Sequence, residues 1–231
     1  MLRTTEPCHS LFNGRPISIN QLSQTVPVIF ECWYLGQETG TAVAEVLFGD
    51  TNPSGKLPVT LPRSVGQLPV YYNRKPTSFR NYNDSSRDPL FVFGHGLSYT
   101  TFALGGAKVE PAKIKPNGTA TVTGEVSNTG AKAGDEVVQL YVRDVEASVK
   151  RPKKQLMAFE RISLRPGESR TVSFTVSPDR LAFWDEKRKA WVLEPGAFEV
   201  MVGSSSADLR LKGEIKASTL RQWSPGQVPA S

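Results

Sequence analysis

Cysteine and histidine are scarce in this sequence. Its 231 residues include two cysteines, Cys8 and Cys32, and two histidines. Two cysteines make no disulfide framework, and these four residues lack the spacing of zinc ligands. No phosphate-binding or dinucleotide-binding glycine motif occurs. We therefore expect packed or idle thiols, no metal site and no cofactor.

Long apolar runs are also absent. No stretch approaches the roughly 18 uninterrupted apolar residues of a membrane span, and residues 1–7 lack the apolar segment of a secretory signal. We expect no membrane partner, while a cytoplasmic and a periplasmic or secreted location both stay open. The net charge is +6, but the basic residues are dispersed. The densest basic run, residues 150–154, is interpreted as a solvated loop, so no nucleic acid is expected as a partner.

Residues 1–68 have the pattern of a partial α/β domain. The nearly continuous apolar run at 26–33 is typical of a strand buried on both faces. An amphipathic helix follows it, and Gly49 is placed to end that helix in the left-handed conformation. The helix has one apolar stripe, which consists of Ala42, Val43, Val46 and Leu47.

The chain then changes character twice. Residues 69–101 are irregular and rich in aromatic side chains, which predicts a linker packed on domain surfaces. From 102 to 217 the apolar residues alternate with a period of two, with turn signals between them. About seven short strands in this pattern predict an antiparallel β-sandwich of the fibronectin III or immunoglobulin type. Residues 218–231 are expected to form a frayed tail. The inward-facing positions are Val122, Val126, Val138, Leu140, Val142, Val172, Phe174, Val176, Phe198, Val200 and Val202.

Three segments in order resemble the carboxy-terminal region of family 3 glycoside hydrolases, the β-glucosidase and β-xylosidase group. They are NGRPISI (13–19), WYLGQETGTAVAEVLFGDTNPSGKLPVTLPRSVGQLPVYYN (33–73) and PLFVFGHGLSYTTF (89–102). The predicted sandwich resembles the fibronectin III-like domain that ends many family members. Two positions depart from the family pattern, since Leu35 stands where proline is usual and Thr39 where a small residue is usual.

The resemblance implies a full-length parent that hydrolyses terminal β-D-glucosyl bonds with retention, through two carboxyl groups. Its ligands would be β-linked glucosides or oligosaccharides. The family's nucleophilic aspartate lies in a barrel domain, and its acid/base glutamate lies upstream of the NGRP segment. Neither matches a position in this chain, so we expect a truncated sequence that is catalytically silent alone, with no catalytic residue. Whether the chain by itself is an enzyme stays open.

Seven residues are candidates for substrate binding: Trp33, Tyr34, Glu38, Arg80, Tyr82, Asp84 and His95. Trp33 and Tyr34 follow a predicted strand, where α/β folds place ligands. Glu38 lies at the start of the helix, where capping of free N–H groups is the alternative to a sugar contact. The others line the linker, and for His95 the alternative is a tight turn with a hydrogen-bonded imidazole.

Two other functions stay open beside an inactive hydrolase portion. One is a stand-alone sandwich that binds carbohydrate or a partner protein, although Trp184 and Trp191 flank a predicted hairpin and are expected to pack. The other is a small glycosidase with a site improvised from the linker and the α/β remnant. That remnant cannot cover both faces of a parallel sheet, which predicts self-association or poor order of residues 1–68.

Overall fold

The computed structural model describes residues 7–76, 86–115, 117–224 and 226. Its first part contains a two-stranded parallel sheet and two helices. In chain order these are β1 (Cys8–Leu11), α1 (Asn20–Thr25), β2 (Val28–Glu31) and α2 (Thr39–Phe48). A single 3₁₀ turn, Val65–Gln67, follows in the loop after α2.

The α/β part has the predicted elements but not the predicted burial. Gly49 ends α2 with a φ of 82°, which confirms the left-handed stop. No residue of α2 is buried, and all four residues of β2 are only half-buried. The expectation of a strand buried on both faces is therefore wrong for the described structure. The reason is that β2 pairs with β1 alone among the described residues.

The second part is built from strands. They are β3 (Phe102–Glu110), β4 (Lys113–Ile114), β5 (Ala120–Asn128), β6 (Gly134–Asp144), β7 (Gln155–Leu164), β8 (Ser169–Val176), β9 (Phe183–Asp185), β10 (Ala190–Leu193), β11 (Gly196–Gly203), β12 (Leu209–Ala217) and β13 (Arg221–Trp223). A short helix, α3 (Pro178–Leu181), joins β8 to β9.

Two sheets of this part form the predicted sandwich. Across the described residues, one sheet has the order β4-β12-β11-β6-β7 and the other the order β3-β5-β8. Alternate residues point into the space between them, and every inward position predicted from the sequence is buried, with at most 5% of its surface exposed. The period-two pattern therefore identified both the strands and their inner faces.

A third sheet, in the order β13-β10-β9, lies beside the sandwich. Trp184 and Trp191 are cross-strand partners in its hairpin, with ring centroids 6.0 Å apart in an edge-to-face arrangement. This confirms the hairpin and its packed tryptophans. The expectation of a frayed tail from residue 218 is wrong for β13, because Trp223 pairs with Trp191 and is buried.

The described residues of the segment 69–101 lie over the outer face of the five-stranded sheet. Tyr72 stacks on Phe93 with centroids 4.3 Å apart and meets the ring of Tyr141 edge-on. Tyr141 lies on β6 between the inward-facing Leu140 and Val142, so its side chain points away from the sandwich core. It is nevertheless fully buried, because the aromatic residues of this segment lie over it.

The described helices include none that is both long enough and apolar enough to cross a membrane.

Candidate functional site

Trp33 lies beside Glu31 at the end of β2, ahead of α2. Trp33 follows β2 with a φ of 52°, an uncommon conformation for a side chain of that size. Its backbone N–H lies 3.4 Å from Oε1 of Glu31. Oε2 of Glu31 is buried with no hydrogen-bond partner among the described residues. Burial raises the pKa of this carboxyl, and hydrogen bonds from Trp33 and Asn13 act in the opposite direction.

Tyr34 lies over the turn of the NGRP segment. Its side chain is 83% exposed, yet a Cβ at Gly14 would overlap its phenol ring. A side chain at position 14 would therefore displace Tyr34. The tyrosine rests on a backbone surface and presents its other face outward.

Glu38 precedes the first turn of α2 but does not cap it. Its side chain accepts no backbone N–H of the helix, which corrects the capping interpretation. Instead Oε2 accepts a hydrogen bond from the Thr41 hydroxyl at 3.2 Å. Thr39 donates its hydroxyl to the Gly36 carbonyl at 2.6 Å. Glu38 and Thr39 line a shallow, open depression with Leu35, Gly36, Gln37 and Ala42.

His95 lies in a tight turn that is hydrogen-bonded to the loop that follows α2. Leu57 accepts the N–H of Gly94 and donates its own N–H to the His95 carbonyl, both at 2.8 Å. The imidazole stacks on Phe91, with centroids 5.3 Å apart. Burial lowers the pKa of His95, and the ammonium of Lys56 lowers it further.

The candidate residues do not form one site in the described structure. Trp33, Tyr34 and Glu38 lie at the end of β2 and the start of α2, whereas His95 packs with Phe91 and Leu57 in the turn described above. Arg80, Tyr82 and Asp84 lie outside the described residues. The role of each candidate in sugar binding stays a prediction.

A polar junction that no sequence pattern predicts connects the loop after α2 to the sandwich. The Lys56 ammonium lies 2.8 Å from Oε1 of Glu136 and donates to the Gly96 carbonyl at 3.2 Å. Asn52 donates to the Ala133 carbonyl at 2.9 Å and accepts the Tyr99 N–H at 2.7 Å. Single Lys and Asn residues in a proline-rich loop carry no pattern that predicts such long-range partners.

A cleft of about 410 Å³ is lined by described residues of the segment 69–101 and by residues of the five-stranded sheet. We call it the cationic cleft, because six basic side chains line it against two acidic ones, Asp88 and Glu199. The basic residues are Arg74, Arg87, Arg143, Lys153, Lys154 and Lys212.

No cluster of three or more His, Cys, Asp or Glu side chains with the geometry of a metal site occurs in the described part of the chain. Cys8 and Cys32 are both free thiols.

Two family models match the chain. Residues 5–99 match the carboxy-terminal domain of glycosyl hydrolase family 3, and residues 136–206 match the fibronectin type III-like domain.

Curated relatives match over most of this chain. A β-xylosidase of Formosa agariphila is 51% identical over 200 residues, which is 85% of this chain and 28% of that protein. A periplasmic β-glucosidase of Salmonella typhimurium is 44% identical over 211 residues, which is 87% of this chain and 28% of that protein. The chain thus spans little more than a quarter of the length of these relatives.

Solved structures share the fold. The β-glucosidase EmGH1 of Erythrobacter marinus superposes with a TM-score of 0.86 at 45% identity, over 90% of this chain and 27% of that one. A β-glucosidase of Listeria innocua in complex with glucose superposes with a TM-score of 0.86 at 35% identity, over 93% and 31%.

Proposed function

The chain belongs to glycosyl hydrolase family 3, with that family's carboxy-terminal domain and a fibronectin type III-like domain, and on this basis we propose that it serves as the carboxy-terminal part of a retaining β-glucosidase-like hydrolase. In this proposal the whole protein removes terminal β-D-glucosyl units from β-linked glucosides or oligosaccharides. The relatives named β-glucosidase and β-xylosidase support a β-glycoside as the substrate class.

The observation that carries the proposal is the exposed apolar surface of the α/β part. Phe12, Tyr34, Phe48, Val65 and Leu68 are all more than half exposed, and Phe48 reaches 83%. Five large apolar side chains exposed in one part of the chain favour an interaction surface there. We infer that these residues pack against the catalytic part of the hydrolase, so that this chain contributes a packing surface and the sandwich.

We also propose that the chain is silent without that catalytic part. A retaining glycosidase needs two carboxyl groups about 5 Å apart, so that each would perturb the ionisation of the other. The pKa of Glu31 is raised by its own burial, and among the described residues no second carboxylate contributes to that shift. Glu38 is exposed and is bonded to a hydroxyl.

The chain is proposed to consist of three successive units. We propose a partial α/β domain over 1–68, a covering linker over 69–101 and a sandwich over 102–217. The edge-on contact of Tyr72 with Tyr141, with Phe93 stacked on Tyr72, supports a linker that is fixed to the sandwich. The strand β13 adds part of the following segment to the folded unit.

The test is an activity assay of the purified chain with aryl β-D-glucoside and aryl β-D-xyloside. Controls are Glu38→Gln, Asp84→Asn and a host-only preparation made identically. We expect the same background rate in all four. Hydrolysis that disappears with one of the substitutions would overturn the proposal that the chain alone is inactive, and it would identify a carboxylate of this chain as catalytic.

A further inference from the structure

The cationic cleft has a charge distribution that favours an anion. Its two rim cations, Arg143 and Lys212, share one carboxylate: they lie 3.8 Å and 3.5 Å from the two oxygens of Glu199. Both are more than half exposed. Glu199 is thus paired with Arg143 and Lys212, and no ion pair between it and Arg74, Lys153 or Lys154 occurs among the described residues.

Three further cations, Arg74, Lys153 and Lys154, line the cleft. The Lys154 ammonium donates to the Ser206 carbonyl, and no carboxylate of the described residues lies within ion-pairing distance of it. Burial lowers the pKa of Lys154, and the neighbouring Lys153 lowers it further. The backbone N–H of Lys153 donates a hydrogen bond to the Arg74 carbonyl at 3.2 Å, which holds the main chains of these two residues together. An anion placed here would relieve repulsion between like charges.

The other wall of the cleft is aromatic and fixed. Tyr72 and Phe93 stack nearly parallel, with 17° between their planes, and the Tyr72 hydroxyl accepts the Leu156 N–H at 3.2 Å. Met201, which is buried, lies on the sheet beneath. Such a wall offers an apolar surface beside charged groups, and a volume near 410 Å³ suits a small ligand.

We propose that the cationic cleft binds a saccharide that carries a carboxylate or sulfate group, with the anionic group at Lys153, Lys154 and Arg74 and the sugar ring against Tyr72. This site lies outside the candidate residues at the entrance to α2, and it goes beyond the proposed hydrolysis of neutral β-glucosides. The proposed site is tested by ligand binding, so the outcome does not depend on whether the chain has hydrolase activity.

Titration calorimetry on the full chain tests the proposal with four probes: cellobiouronic acid, glucose 6-sulfate, cellobiose and inorganic sulfate. The first two probes distinguish a carboxylate from a sulfate as the preferred group. We expect at least one of them to bind at low salt, with weaker binding as salt increases, and cellobiose not to bind. We expect Lys153→Gln/Lys154→Gln to weaken the binding of the acidic sugar at least tenfold.

The matched control is Lys108→Gln, which removes the same charge from β3 in the opposite sheet and should leave the affinity unchanged. Circular dichroism establishes that each variant is folded. If the double variant does not fold, Arg74→Gln is used in its place, because Arg74 is exposed and its substitution should not disturb the fold. The variant Lys154→Arg keeps the positive charge and should retain binding. Three results would each overturn the proposal: unchanged affinity in the folded cleft variants, equal binding of cellobiose, or binding of inorganic sulfate as tight as that of both acidic sugars.

Discussion

The Lys56 ammonium lies 2.8 Å from the Glu136 carboxylate, although 79 residues separate them in the chain, and their side chains are only 13% and 8% exposed. Lys56 belongs to the loop after α2 and Glu136 to β6 of the sandwich. The pair therefore connects the α/β part to the sandwich through two charges that have been largely removed from water. Removing either charge leaves the other buried without its counter-ion.

The first prediction concerns this ion pair. Lys56→Met or Glu136→Gln alone should lower the free energy of unfolding by about 3 kcal/mol, because one buried charge loses its partner. The double variant Lys56→Met/Glu136→Leu should cost less than the sum of the single variants. Denaturant unfolding followed by tryptophan fluorescence measures all three.

Arg161→Gln is the control for the ion pair. It breaks the pair with Asp135, in which Arg161 is 64% exposed, and exposed pairs contribute up to about 1 kcal/mol. If the Lys56 and Glu136 variants cost no more than this control, the buried pair does not hold the two parts together.

The second prediction compares two glycines with nearly equal backbone angles. Gly94 and Gly49 have φ values of 81° and 82°, so alanine at either position costs about 1–2 kcal/mol in backbone strain. A Cβ at Gly94 would also overlap the side-chain amide of Gln139, whereas at Gly49 the nearest atom is the mobile Lys132 ammonium.

Gly94→Ala should therefore destabilise the protein clearly more than Gly49→Ala, since it also displaces the Gln139 amide from the Ser204 carbonyl, 2.7 Å away. Thermal unfolding of both variants measures the difference. Equal losses would mean that the Gly94 turn is not packed against Gln139 in solution.

The third prediction concerns the exposed apolar surface of the α/β part. In the isolated chain this surface should cause self-association or poor order of residues 1–68, because Phe48 is 83% and Val65 77% exposed. Phe48→Asp should reduce association in light scattering. Phe159→Asp, at a residue 67% exposed on the sandwich, is the matched control and should not. A monodisperse monomer whose residues 1–68 resist hydrogen exchange would contradict this prediction.

The sequence was most informative where one local period decides burial. Every inward position that the alternation predicted on β5, β6, β8 and β11 is buried, because side chains alternate between the faces of a strand. The same reasoning failed for β2, because burial also depends on neighbouring strands, and β2 pairs with β1 alone among the described residues. It also failed for β13, because three residues are too few to show an alternation.

The polar contacts could not be predicted for a different reason. The Lys56–Glu136 pair and the bond from Asn52 to the Ala133 carbonyl join residues about 80 positions apart, and no local pattern encodes such a partner. The cationic cleft is another case, because Arg74, Arg143 and Lys153 meet only when the linker folds back over the sheet. In the sequence the basic residues look dispersed, and the fold brings them together.

The last prediction concerns the pH dependence of stability, which His95 should control near neutrality. Burial and the Lys56 ammonium lower the pKa of His95 in the folded chain, whereas the unfolded chain keeps a value near 6.5. Below about pH 6.5 the unfolded state therefore binds more protons than the native state at this residue. The stabilising contribution is present above that pH and is lost as the pH falls toward the folded pKa.

The free energy of unfolding, measured between pH 7.5 and 5, should thus decrease, and His95→Gln should make the decrease shallower. His9→Gln removes the other histidine, which lies exposed on β1, and should leave the slope unchanged. An NMR titration of the His95 ring gives the direct measurement, and a midpoint above 6.5 would show that the imidazole is not held neutral beside Lys56.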